Sequence, residues 1–135
     1  MNNYPSDWRI ALIDDKPDSK ELISYAIKST FPTITVQPHA SAREFINGFA
    51  KERPTAVVTR QRLFGDLDGI TMARLLRGSG FLGPIVMITN AEEMRDEAEK
   101  AGINVFLSFD RWAELPSRLA SAINAYGELS NPLSA

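Results

Sequence analysis

The sequence predicts an α/β protein: a doubly wound parallel five-stranded sheet of (βα)5 order, with helices on both faces. Three observations carry this. Short apolar runs recur at Trp8–Ile13, Ile34–Val36, Ala56–Thr59, Ile85–Thr89 and Val105–Leu107. Helical stripes separate them, and most of the runs are too short and too continuously apolar to be half-exposed antiparallel strands. At 135 residues the chain has the length of one domain, which at this size buries roughly two thirds of the surface its unfolded form exposes.

Each element has its own reason. The first strand, ending at Ile13, is stopped by Asp14-Asp15-Lys16-Pro17, because proline restricts the residue before it. From about Asp18 to Ser29, Leu22, Ile23, Ala26 and Ile27 recur at three and four, the stripe of a helix with one face on a core, and Pro32 ends it. In the second strand Ile34 and Val36 alternate with Thr35 and Gln37. Ser41-Ala42-Arg43-Glu44 then has the form of a capping box, in which Ser41 and Glu44 satisfy each other's free backbone donors. Ala56–Thr59 follows Pro54, and Ile70, Ala73, Leu75 and Leu76 mark a third helix that Gly78 is expected to close in a left-handed conformation. After the fourth strand, Glu92–Ala101 forms a charged helix with Met94 and Ala98 facing inward. Leu115, Leu119, Ala122, Ile123 and Tyr126 mark the last helix. The expected domain is 8–127, with an N-terminal extension at 1–7 and a polar, proline-broken tail or linker stump at 128–135.

Composition excludes several function classes. There is no cysteine, so disulfide scaffolds and cysteine-ligated zinc are out. The N-terminus MNNYPSDWR lacks the basic region and apolar stretch of a signal peptide, and no apolar run approaches the ~20 residues of a membrane span; a soluble cytoplasmic protein is expected. With a net charge of -2 and no basic run, the chain alone gives no footprint for nucleic acid or a membrane surface.

Right-handed crossovers put every strand-to-helix loop on the carboxyl edge of the sheet, where such folds place their sites. The loops that gather there start at Asp14-Asp15, Thr59-Arg60, Thr89-Asn90 and Ser108-Phe109. Two adjacent acids in a cleft repel unless something positive lies between them; either Arg60 is that charge, bridging to Asp14 or Asp15, or it points into solvent and the acids are hydrated or cap the first helix.

In order and spacing, these residues resemble the receiver domain of bacterial two-component response regulators. The likeness spans about Trp8 to Gly127. It rests on Ile10-Ala11-Leu12-Ile13-Asp14-Asp15, Asp68-Gly69 before the third helix, Pro84–Thr89 followed by Ala91, and Ala101-Gly102 leading into Phe106-Leu107. The resemblance implies a flavodoxin-like strand order 2-1-3-4-5. It also implies an acidic pair that holds Mg²⁺, an acceptor aspartate ending the third strand, a phosphoryl-binding Thr or Ser, a switch aromatic and a lysine. Asp14 and Asp15 supply the acidic pair, Thr89 the phosphoryl-binding residue and Phe106 the switch aromatic. The acceptor falls on Arg60 counted from Pro54, or on Gln61 counted back from Asp68-Gly69, which implies a one-residue insertion between Gln61 and Asp68. Neither residue is a carboxylate. A guanidinium, protonated at any accessible pH, is no nucleophile, and an amide has no usable charge. The lysine position holds Phe109.

The expectation is a degenerate, or pseudo-receiver, form. It is not an enzyme, has no cofactor and binds Mg²⁺ weakly or not at all, through Asp14 and Asp15 if anywhere. Its function is expected to be a phosphorylation-independent protein-interaction module in phosphorelay signalling. Partners of the expected kinds are a histidine kinase, a phosphotransfer protein, another receiver, an output domain or a second copy in a homodimer. An alternative is the N-terminal regulatory domain of a longer response regulator or transcription regulator. Asp66-Leu67-Asp68-Gly69 also resembles the DxDG motif of haloacid-dehalogenase-like phosphatases, an enzyme reading through Asp66 and Asp68, although Asp66 follows Phe64-Gly65 in a loop instead of ending a strand.

Other signals have plainer readings. Gly78-Ser79-Gly80-Phe81-Leu82-Gly83 matches a dinucleotide-binding GxGxxG, but it leaves a helix and enters a strand, the reverse of that motif's context. His39 has no visible metal or acid-base partners and is expected in a loop. Met72, Met87 and Met94 read as core, Trp8 and Trp112 as ring burial. Arg60, Arg62, Arg74 and Arg77 form either a basic patch or a solvated face.

Overall fold

The computed structural model describes residues 7–126. The elements are β1 (Arg9–Ile13), α1 (Pro17–Thr30), β2 (Thr35–His39), α2 (Ala42–Gly48), β3 (Ala56–Thr59), α3 (Gly69–Gly78) and β4 (Ile85–Ile88). A 3-10 turn (Glu92–Met94) then runs into α4 (Arg95–Lys100), and β5 (Val105–Leu107) is followed by a 3-10 segment (Phe109–Glu114) and α5 (Leu115–Tyr126). All strand pairs are parallel and the order is β2-β1-β3-β4-β5, the flavodoxin-like arrangement. The expected boundaries at 1–7 and 128–135 lie, apart from Asp7, outside the described residues.

Every residue of β3, β4 and β5 is buried, as strands covered on both faces must be. One core layer packs Ile10, Leu12, Val58 and Val86 against Ile23 and Ile27 of α1 and Leu119 and Ile123 of α5. The other packs Ala11, Ile13, Val57 and Met87 against Phe45 of α2, Ile70 and Leu76 of α3 and Ala98 of α4. Alternate residues of each strand thus serve opposite layers, as the two-residue period requires.

Several local details differ from the sequence reading. The left-handed residue after α3 is Gly80, with φ +91, while Gly78 is still helical and Ser79 is the C-cap. Ser79 and Gly80 donate to Leu75, Leu76 and Arg77 carbonyls, so the chain needs the extra residue to close the helix end before it reverses. The charged helix after β4 begins as a 3-10 turn because Asn90 and Ala91 carbonyls take the Glu92 and Met94 N–H groups. At α2 the Ser41 hydroxyl accepts the Glu44 N–H (3.1 Å), whereas the Glu44 carboxylate lies 3.5 Å from His39 Nδ1. His39 closes β2 instead of standing in a loop, its ring 5.1 Å from that of Phe45.

Registers fix where the site forms. Ile13 pairs with Thr59, and Thr59 with Met87. The residues that follow therefore leave the sheet side by side: Arg60 N–H donates to Ile13 O (3.2 Å) and Thr89 N–H to Leu107 O (3.0 Å).

Candidate functional site

Asp14 emerges from β1 fully buried, and its environment is built by the start of α1. Pro17 at the first helical position fixes the helix start, which places Ser19 within the first turn, facing back to the strand end. Asp14 Oδ1 accepts the Lys16 N–H (2.9 Å) and Oδ2 accepts the Ser19 hydroxyl. Ser19 Oγ in turn accepts from Arg60 Nη1 (3.1 Å), and that same Nη1 lies 4.0 Å from Asp14 Oδ2. Arg60 thus reaches Asp14 both through Ser19 and directly. At about 4 Å and an effective dielectric near 20, such charges attract by ~4 kcal/mol before desolvation is subtracted.

The other face of the guanidinium is covered by Phe109, whose ring centroid is 4.8 Å from Arg60 Cζ. Phe109 is held there by its own N–H, which donates to Asn90 Oδ1 (3.0 Å). The Arg60 side chain is 16% exposed and its Nε is buried without a hydrogen-bond partner. Gly69 is the glycine this packing requires, since a Cβ there would stand 2.3 Å from the Arg60 carbonyl oxygen.

Asp15 is turned to a different task. Its Oδ2 accepts the Phe64 N–H (2.9 Å), and its Oδ1 is buried with no partner. Thr89, 4% exposed, accepts the Ala91 N–H on its Oγ1 (3.2 Å). Phe106 is buried in β5 with Arg95 Cζ 4.6 Å over its ring.

Gln61 stands apart from the acids. It is 5% exposed and tucked beneath α3, where Oε1 accepts the Ile70 N–H (2.9 Å) and Nε2 donates to Asp68 Oδ2 (3.1 Å). Asp68 is the N-cap of α3, accepting the Thr71 N–H (2.8 Å). Asp66 is on the surface, 2.6 Å from Arg43; that hydrogen bond holds the Asp66 carboxyl below the usual range and the Arg43 guanidinium above its own. The two aspartates of the DxDG match are therefore a surface ion pair and a helix cap, and β3 ends well before them.

Nor do the arginines form one patch. Arg62 pairs loosely with Glu93 at 3.7 Å, while Arg77 donates to the Gly102, Phe81 and Gly83 carbonyls. Those carbonyls precede β4 and β5, so Arg77 lies at the end of the sheet opposite Arg60. Burial lowers the pKa of its guanidinium. Sequence reasoning missed Ser19 and Phe64. A serine two residues after a helix-starting proline is the only signal that could have indicated the first.

As a metal site the donor set is poor. Mg²⁺ demands near-octahedral oxygen coordination. Of the four carboxylate oxygens of Asp14 and Asp15 only Asp15 Oδ1 lacks a hydrogen bond, and Arg60 stands beside Asp14. Among the described residues no group of three or more His, Cys, Asp or Glu could hold a metal ion, and no helix is long and apolar enough to cross a membrane.

The sequence matches the family model of the response regulator receiver domain over residues 10–111. No curated protein matches it by sequence. Among solved structures it is similar to the receiver domain of a Francisella response regulator, with TM-score 0.79 and 17% identity over 88% of this chain and 98% of that one. It is also similar to the receiver domain of a Pseudomonas aeruginosa sensor histidine kinase, which holds a magnesium ion in its active-site cleft. That match has TM-score 0.76 and 25% identity over 87% of this chain and 98% of that one. A third is RcsB of Salmonella typhimurium, with TM-score 0.76 and 18% identity over 90% of this chain and 62% of that one.

Proposed function

The chain belongs to the response regulator receiver domain family, and from that premise we propose that it is a pseudo-receiver, an interaction module of two-component signalling that works without aspartyl phosphorylation. The observation that carries the reading is the placement of Arg60. Its guanidinium lies 4.0 Å from Asp14 and 4.8 Å from the Phe109 ring, so the residue following β3 brings a positive charge to the acids.

Phosphoryl transfer is chiefly positioning plus charge stabilisation, and it needs a nucleophile in line with the phosphorus. Arg60 offers none, and the Gln61 amide is committed to Ile70 and Asp68. Phe109, at the lysine position, gives the cation a π face, a contact worth ~0.5–2 kcal/mol. An internal cation and its aromatic cover thus take the places of a carboxylate and an ammonium. Mg²⁺ does not fit the donors that remain, and we read the pocket as balanced by Arg60 without a metal. Phe106, at the switch-aromatic position, is covered by Arg95 in a packing that needs no phosphoryl group. On this reading the protein is not an enzyme; it docks in a fixed state on a histidine kinase, a phosphotransfer protein, another receiver or an output domain.

The test is exposure to acetyl phosphate and Mg²⁺, followed by borohydride trapping and intact-mass spectrometry. The expected mass is that of the unmodified chain. A stoichiometric label on Asp66 or Asp68 would overturn the reading by showing that the loop after β3 supplies a substitute nucleophile.

A further inference from the structure

We propose that Asp15 is a positioning residue whose carboxylate straps the tip of the loop between β3 and α3 to the end of β1. The loop is latched at its base by Gln61, whose carbonyl accepts the Gly69 N–H (2.9 Å) and whose Oε1 accepts the Ile70 N–H (2.9 Å). Leu67, 7% exposed, and the partly buried Leu63 tie its two arms to the core. Between them the tip turns at Gly65, with φ +101, a conformation other residues rarely adopt.

The tip itself has no apolar anchor. The Phe64 side chain is 78% exposed, so burial of the ring does not hold it. Arg62 to Glu93 at 3.7 Å and Arg43 to Asp66 at 2.6 Å are ion pairs between exposed groups, of a kind that contributes little. What remains is the bond from Phe64 N–H to the Asp15 carboxyl Oδ2 at 2.9 Å, joining residues 49 positions apart. The burial of Asp15 Oδ1 shows that this end of the carboxylate is closed off from solvent. Asp14 and Asp15 have therefore divided their work: Asp14 serves the start of α1 and Arg60, and Asp15 serves the loop. The strap stands independently of how Arg60 affects phosphorylation, because it involves neither a metal nor a phosphoryl group.

Amide hydrogen exchange by NMR tests it on the whole chain without added metal. Asp15→Ala should speed exchange of the Phe64 amide by about tenfold or more, while the amides of β1 and β3 keep their protection. Asp15→Asn retains an acceptor oxygen and should restore protection to within a few-fold of the parent. Arg43→Gln with Arg62→Gln should also leave it within a few-fold. Equal Phe64 protection in the parent and Asp15→Ala overturns the proposal. So does a loss in the arginine double variant as large as that in Asp15→Ala, or a loss spread through β1 and β3.

Discussion

Arg60 and Phe109 are coupled, because the guanidinium packs on a ring that is itself only partly buried against the core. Phe109→Ala should cost ~0.5–2 kcal/mol beyond the lost packing, and that part should vanish when Arg60→Ala is already present. Urea denaturation of the two single variants and the double variant reads this coupling directly. Phe109→Lys should be worse than Phe109→Ala, since it brings a second cation to a site Arg60 already occupies. Ser19 is the other residue on which the pocket turns. Ser19→Ala removes a donor to the buried Asp14 carboxylate and an acceptor from Arg60, and should destabilise the fold by ~1–3 kcal/mol in the same assay. In the sequence the serine's single mark is its place two residues after a helix-starting proline, which says nothing of Asp14 or Arg60.

The elements were legible where burial alone decides them. Apolar runs over Ala56–Thr59 and Val105–Leu107 are the strands as built, because a strand covered on both faces has no choice but to be apolar. What periodicity cannot carry is the path of the chain between elements. Two counts along the sequence put the acceptor position at Arg60 or Gln61, and in the fold Arg60 lies beside Asp14 while the Gln61 amide oxygen accepts the Ile70 N–H under the start of α3. The bond from Phe64 N–H to Asp15 depends on the shape of that loop, which leaves no signature in composition. The same loop gives a prediction in pH. Asp66 is held below its ordinary value of 3.8 by its hydrogen bond with Arg43. A lowered folded-state value means the pair's contribution is present above the unfolded pKa and lost as pH falls through the folded one. Carboxyl chemical-shift titration should therefore give Asp66 a depressed midpoint in the parent and a value moved back toward 3.8 in Arg43→Gln.

With Arg60 as the positive charge beside the acids, the parent should be indifferent to Mg²⁺. Arg60→Asp would bring a third carboxylate beside the buried Asp14 and its neighbour Asp15, with the Phe109 ring and no cation facing it, leaving like charges to repel. That variant should melt below the parent without metal and be rescued by Mg²⁺. Ligand binding to the folded state stabilises it by RT ln(1 + [L]/Kd), about 2.7 kcal/mol at a hundredfold excess over Kd. Phosphate incorporation should remain slow in it and improve only when Phe109→Lys is added, because the developing charge then meets both metal and ammonium. The most direct measurement is the pair of thermal melts, parent and Arg60→Asp, each with and without Mg²⁺. The parent should be unmoved by the metal, and the variant should start lower and rise with it. Two proteins of equal stability, both indifferent to Mg²⁺, would contradict this, because position 60 would then have no part in balancing the acids.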